Sequence, residues 1–233
     1  MGNYGNGSST RQAIVDACMT LFYEKGYRET SYSDICKLAH VDRSTIYYHF
    51  DAKEELRYEV LWEYTLANKR IAERYCDRPE YHYMLANSMM WHQLVHNEKL
   101  RKFHMDCYQD CPFYTGKMDN SYYYGMIYQS MWGPFWDKKN IPRLSYASVY
   151  GYLISCIRML CENPDGYDPM ALFVHCLAGS AFMWGIPNQL VETIVGDIMI
   201  YTNRIPQAYL EGIGHTGLGK AQEEEKGGNS VTK

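Results

Sequence analysis

Three helix-start signals crowd into one stretch, "TSYSDICKLAHVDRSTIYYHFDAKEEL", from Thr30 to Leu56. Ser31 with Asp34 three residues on forms a capping-box pattern. Asp42 is a second N-cap candidate, and Asp51 with Glu54 repeats the signal. Starts this close leave room only for short helices between them. Ile35, Cys36 and Ala39 make the buried side of the first, and Ile46 and Phe50 that of the second. Two short helices joined by a three-residue turn, with a supporting helix before and a long one after, describe a helix-turn-helix unit. The second helix of such a unit enters the DNA major groove.

The flanking segments fit that frame. From Thr10, Ile14, Ala17, Cys18, Leu21 and Phe22 recur at helical spacing, and Gly26 ends the run. After Asp51 a long helix runs to about Cys76. No strand-like alternation occurs in these 76 residues. The four consecutive rings Tyr47, Tyr48, His49 and Phe50 cannot all be buried by so short a helix. With Ile46 and Phe50 inward, Tyr47 and Tyr48 carry hydroxyls outward, beside Arg43 and Ser44. Lys53 stands in the first turn of the next helix, an unfavourable place for a cation unless an anion docks there.

The passage "TRQAIVDACMTLFYEKGYRETSYSDICKLAHVDRSTIYYHFDAKEEL" resembles the N-terminal domain of the TetR (tetracycline repressor) family. The likeness covers about Thr10 to Leu61. It is carried by Leu21-Phe22, Gly26-Tyr27, Thr30, Ile35, Ala39 and Val41, then by Tyr47-Tyr48-His49-Phe50 and Lys53-Glu54-Glu55-Leu56. Ala39-His40-Val41-Asp42 and Ser44 depart from the family's common turn and helix residues, which touches sequence preference rather than fold. The resemblance implies a homodimeric, all-α transcriptional regulator, a repressor that binds double-stranded operator DNA. Its DNA contacts are expected among Thr30, Ser31, Arg43, Ser44, Thr45, Tyr47, Tyr48, His49 and Lys53. It also implies a helical C-terminal domain for dimerisation and a small-molecule effector. The rival reading is a helical ligand-binding or scaffold dimer without DNA binding.

Charge argues the other way. Up to Val60 there are seven Lys/Arg against nine Asp/Glu, a net of −2, and the whole chain carries −4. A generic DNA binder is more basic. Distribution answers this: Arg11, Arg43, Lys53 and Lys37 can face the duplex while several carboxylates cap helices.

Breakers divide the rest into helices at roughly 80–97, 98–110, 119–136, 142–161, 168–185 and 188–210. The implied organisation is a flexible 1–9, a DNA-binding unit over 10–51, a connecting helix over 52–78, a helical effector and dimerisation unit over 79–212 and a disordered tail over 213–233. In "NQLVETIVGDIMIYTNRI", Leu190, Val191, Ile194, Val195, Ile198 and Met199 form one apolar stripe. Together with the preceding helix and its small residues Ala178, Gly179, Ser180 and Ala181, it is expected to pair with its symmetry mate across a two-fold axis. The alternative is the chain's own core. Tyr is abundant, 23 residues beside 13 Met, and "YYYGMIYQSMWGPFW" concentrates the rings. Tyr123, Ile127, Tyr128, Met131 and Trp132, with Trp91 and Phe103, are expected to line a pocket for an aromatic or hydrophobic effector; ordinary packing is the alternative.

Other chemistries have weaker support. His92, His96, His104, Cys107 and Cys111 have helical spacings that could hold zinc, but no paired Cys-x-x-Cys accompanies them. Cys107 or Cys156 as a nucleophile lacks any local motif. No cofactor is expected. No membrane-length apolar run or signal peptide is visible, and Asn6 spoils a myristoylation motif at Gly2. The eight scattered cysteines suit reduced thiols in a cytoplasm.

Overall fold

A computed structural model describes residues 4–109, 127, 129–135 and 143–212. Every regular element among them is helical: α1 (Tyr4–Glu24), α2 (Tyr32–Ala39), α3 (Arg43–His49), α4 (Lys53–Tyr75), α5 (His82–His96), α6 (Glu98–Gln109), α7 (Arg143–Glu162), α8 (Pro169–Trp184), α9 (Asn188–Thr202) and α10 (Gln207–Leu210). Tyr122, Tyr123, Tyr124, Met126, Tyr128, Cys111, most of the expected helix at 119–136 and the tail from 213 lie outside the described residues.

The three short-range signals behave differently. Ser31 caps α2 as expected: its hydroxyl accepts from the Asp34 amide, and the Asp34 carboxylate accepts from the Ser31 amide at 2.8 Å. Lys25 adds an ion pair to Asp34 at 2.7 Å. Asp42 holds the N-cap position of α3 in extended backbone, but its side chain makes no cap hydrogen bond. The Asp51–Glu54 cap is replaced. The helix opens at Lys53 after Ala52, and the Asp51 amide donates to Glu55 at 2.8 Å. One residue of register decides this, because only the carboxylate one turn on reaches back to that amide. His40 ends α2 in the left-handed region, φ 54° and ψ 44°, a conformation that costs little only for Gly and a few polar residues.

Two boundaries move. α1 begins at Tyr4, so it takes in residues assigned to a flexible lead. The expected 188–210 helix breaks after Thr202 and resumes as α10 behind Pro206. Proline donates no amide hydrogen and disfavours helical backbone in the residue before it.

Buried side chains form one connected cluster from Ile14 to Leu210. α5 lies at its centre, burying Met84, Leu85, Met89, Trp91 and Leu94 against α4, α8 and α9. The head, α1 to α3, packs on α4 and α6, and two polar seams tie distant parts of the chain. At the first, α1 meets α6. Gly26 has φ 97°, and a β-carbon there would sit 2.8 Å from an Asp106 carboxylate oxygen; Lys99 bonds Glu24 at 2.8 Å nearby. At the second, the chain leaving α4 is tied to α9. Arg78 bonds Asp197 at 2.8 Å, Tyr81 donates to the same carboxylate, and Tyr201 donates to Asp77 at 2.8 Å.

Candidate nucleic-acid interface and ligand cavity

α3 buries only Ile46, and Phe50 behind it is 2% exposed. Those two anchors fix the rotation of the helix. They turn Arg43, Ser44, Tyr47 and Tyr48 to solvent, Tyr48 at 84% and Tyr47 at 45% exposed. Thr45 and His49 are half-buried at the edges. The His49 ring meets the Tyr48 ring edge-on at 5.0 Å.

Arg43 is the most organised group on this face. Its Nε and Nη2 both donate to the Tyr47 hydroxyl, at 3.1 and 2.7 Å. The guanidinium lies 5.0 Å from the Tyr32 ring centre and 5.4 Å from that of Tyr47. The two rings are 5.2 Å apart. Beside this cluster, a shallow groove joins Lys37, His40, Asp42 and Thr45 to Thr10 of α1.

Two expected contacts turn inward. Thr30 is 2% exposed, and its hydroxyl donates to the Gly26 carbonyl at 2.7 Å, so it braces the turn between α1 and α2. Lys53 folds back over the Tyr27 ring at 4.5 Å and donates to the Tyr27 carbonyl at 2.5 Å. Burial in that seam lowers its pKa. Sequence spacing places both near the duplex but says nothing about an acceptor inside the fold. Arg11, another cation expected to face the duplex, pairs with Glu59 at 2.7 Å. Ser31 remains exposed at the start of α2.

The aromatic body divides likewise. Trp91, Phe103, Met131 and Trp132 are buried core residues, none more than 4% exposed. The Trp132 indole N–H donates to Ser180 at 3.1 Å. Ile127 lines a cavity of about 30 Å³ with Tyr64, Asn68, Tyr83, Asn87, His104, Tyr108, Leu153 and Cys176, among others. Among the described residues, no Lys, Arg, Asp or Glu lines it. The cavity wall rests on a buried amide hub. Gln93 and Asn68 exchange two hydrogen bonds of 3.0 Å, Tyr64 donates to Gln93, and Gln93 donates to the Tyr209 carbonyl at 2.9 Å. The His104 ring packs edge-on to Tyr64 at 4.6 Å. Sequence reasoning missed these residues. The available signal was Tyr64 and Asn68 four apart, polar groups at the register of the buried face of α4.

The apolar stripe of α9 also splits. Val191, Ile194 and Ile198 face the chain's own core, Leu190 and Val195 are half-buried, and Met199 is 44% exposed. Phe182 of α8 at 84% and Ile200 of α9 at 55% are the most exposed apolar side chains there. The described residues hold no group of three or more metal-ligating side chains. Cys107 and Cys156 are buried, and burial raises the pKa of Cys156, the reverse of what a nucleophilic thiol needs. No described helix is long and apolar enough to cross a membrane.

The architecture is therefore an all-helical one with a helix-turn-helix head on a larger helical body. Residues 14–60 match the family profile of bacterial regulatory proteins, tetR family. Over 46 residues the chain is 44% identical to the biofilm operon icaADBC HTH-type negative transcriptional regulator IcaR of Staphylococcus epidermidis, covering 20% of this chain and 25% of that protein. The chain thus spans about a quarter of the length of the curated relatives it matches. NalD, the secondary repressor of the MexAB-OprM multidrug efflux pump in Pseudomonas aeruginosa, is 22% identical with a TM-score of 0.41 over 76% of this chain and 96% of its own. RolR in complex with resorcinol is 14% identical with a TM-score of 0.43 over 83% and 96%. The head, residues 14–60, is thus similar to the DNA-binding head of the tetR family of bacterial regulatory proteins.

Proposed function

We propose that the protein is a homodimeric, sequence-specific DNA-binding repressor whose DNA affinity is set by a small effector in the body. The carrying observation is Tyr48: a large aromatic side chain, 84% exposed, on a helix rotated by Ile46 and Phe50 to present it. An exposed ring with a polar tip suits a phosphate or a base edge, and nothing within the head requires it there.

Dimerisation is supported by glycines. Gly151 of α7, Gly179 of α8 and Gly196 of α9 sit in helix interiors, where glycine costs roughly 1 kcal/mol against alanine. Among the described residues, a β-carbon at any of them meets nothing within 4 Å, so no described neighbour calls for their smallness. Gly179 and Gly196 share the outer faces of α8 and α9 with Phe182, Met199 and Ile200. A second copy packed there explains both the small and the large residues. This face is rotated from the stripe legible in sequence, because Val191, Ile194 and Ile198 are already covered.

The cavity between α4, α5, α6, α7 and α8 suits an uncharged ligand, since its described wall is phenols, amides, the His104 ring and apolar groups. At about 30 Å³ it holds little more than water, so a ring-sized ligand enters only as the walls part. α6 lines it with His104 and Tyr108 and reaches α1 through Lys99 and Asp106. Parting the walls would move α4 and α6, and with them the heads. Clean switching asks for about 5.5 kcal/mol of preference for one state.

A mobility-shift assay with DNA upstream of the protein's own gene tests the reading. The wild type shifts a fragment and folded Tyr48→Ala does not. A wild-type protein that shifts no native promoter fragment favours the ligand-binding scaffold instead.

A further inference from the structure

We propose that Arg43 reads a guanine in each operator half-site through the Nη1–Nη2 edge of its guanidinium, and that Tyr47 and Tyr32 are positioning residues for it. The inference rests on the DNA-binding reading above and adds the base that the head selects.

A guanidinium offers two forked edges. One is formed by Nε and Nη2, the other by Nη1 and Nη2. Here the Tyr47 hydroxyl oxygen takes the first, accepting from Nε at 3.1 Å and from Nη2 at 2.7 Å. Arg43 makes no ion pair among the described residues. The second edge, with one hydrogen on each terminal nitrogen, therefore points away from the clamp. The Tyr32 and Tyr47 rings, 5.2 Å apart, both lie under the cation and restrict its tilt.

An unrestrained arginine on a surface helix samples many rotamers and grips phosphates as readily as bases. A clamped one has lost most of that freedom before binding, which favours a planar two-acceptor partner. In the major groove guanine presents O6 and N7 side by side, and the arginine fork matches them. Adenine presents a donor at one of the two positions and repels it. Tyr47 uses its oxygen lone pairs for Arg43, and its own O–H is left to donate. Tyr48 has no such engagement with Arg43 and is the free hydroxyl of the pair. The neighbours Ser44 and Thr45 are short, so they do not block the fork from the groove floor.

The test is selection from a random duplex library with the full-length protein, followed by binding to the winning site with 7-deazaguanine, which lacks the N7 acceptor, at each guanine in turn. The wild type is expected to enrich a site with one fixed guanine per half-site and to lose about tenfold in affinity on its replacement. Arg43→Ala loses the fixed guanine from its selected sites. Tyr47→Phe keeps the ring but not the hydroxyl, and narrows the ratio between guanine and non-guanine sites with its salt dependence unchanged. Arg43, Tyr47 and Tyr32 lie at the surface or its edge, so circular dichroism and melting confirm that each variant folds. A Tyr47→Phe protein that weakens equally on all sequences, or an Arg43→Ala protein that keeps the guanine but has a shallower salt slope, assigns these groups to phosphate and overturns the proposal. A wild type that enriches no sequence sinks the DNA-binding reading itself.

Discussion

Tyr48 and Tyr64 are one residue type on two helices of one chain, with opposite fates. Tyr48 is 84% exposed on a seven-residue helix. Tyr64 is buried on a 23-residue helix with its hydroxyl on Gln93 and its ring against His104. The difference follows from how the regions are held. Head helices α2 and α3 bury Ile35 and Ile46 respectively and take their orientation from caps and turns. The body is held by long-range contacts that bury polar tips as well as rings, as with Trp132 on Ser180 and Tyr150 on the Tyr108 carbonyl. An exposed tyrosine in the head is therefore available for a partner, whereas a buried one in the body is part of the frame.

Several substitutions can break this contrast. The largest effect is expected in the body. Trp91→Ala should cost about 3–5 kcal/mol in chemical denaturation, as for other buried tryptophans. A variant that stays as stable as wild type and changes only ligand binding would return Trp91 to a pocket wall. Gln93→Leu keeps the volume but leaves Asn68 and the Tyr209 carbonyl without their amide. It should cost roughly 1–3 kcal/mol, measured in the same way.

Gly196→Ala sharpens the comparison within the body. In an isolated chain it should stabilise α9 by up to about 1 kcal/mol. If a second copy covers that face, sedimentation should show weaker dimers instead. His92 gives a pH signature. Burial first, then His96, depresses its pKa to about 4, and its buried Nε2 makes no hydrogen bond among the described residues. The unfolded chain thus binds a proton near 6.5 that the folded one refuses until about 4. Its contribution is full above about 6.5 and is lost as pH falls towards 4. Melting temperature should drop through that window, and His92→Gln should flatten the drop. The smallest effect on stability belongs to the head: Tyr48→Ala should stay within about 0.5 kcal/mol of wild type while abolishing the mobility shift.

Much of the head was legible because its information is local. Ser31 and Asp34 sit in a capping box, and Ile46 and Phe50 fix which faces turn out. Helix-start patterns failed where a backbone acceptor outside them competed. Lys53 found the Tyr27 carbonyl and Thr30 the Gly26 carbonyl, and neither partner is visible in a helix-start pattern. In the body the apolar stripe of α9 was visible, but which side of it met the chain's own core was not. Val191 and Met199 read alike in sequence, and only the position of α5 and α8 buried one and exposed the other.

The sequence alone determined an all-helical chain, a helix-turn-helix head and the outward pair of tyrosines. Periodicity and caps act within a few residues and need no knowledge of the rest. Tertiary structure alone decided which cations stay free, which rings line a cavity and which glycines face outward. Those outcomes depend on groups far apart in sequence meeting where α1 packs on α6 and α4 packs on α5. No local pattern encodes the distance between them.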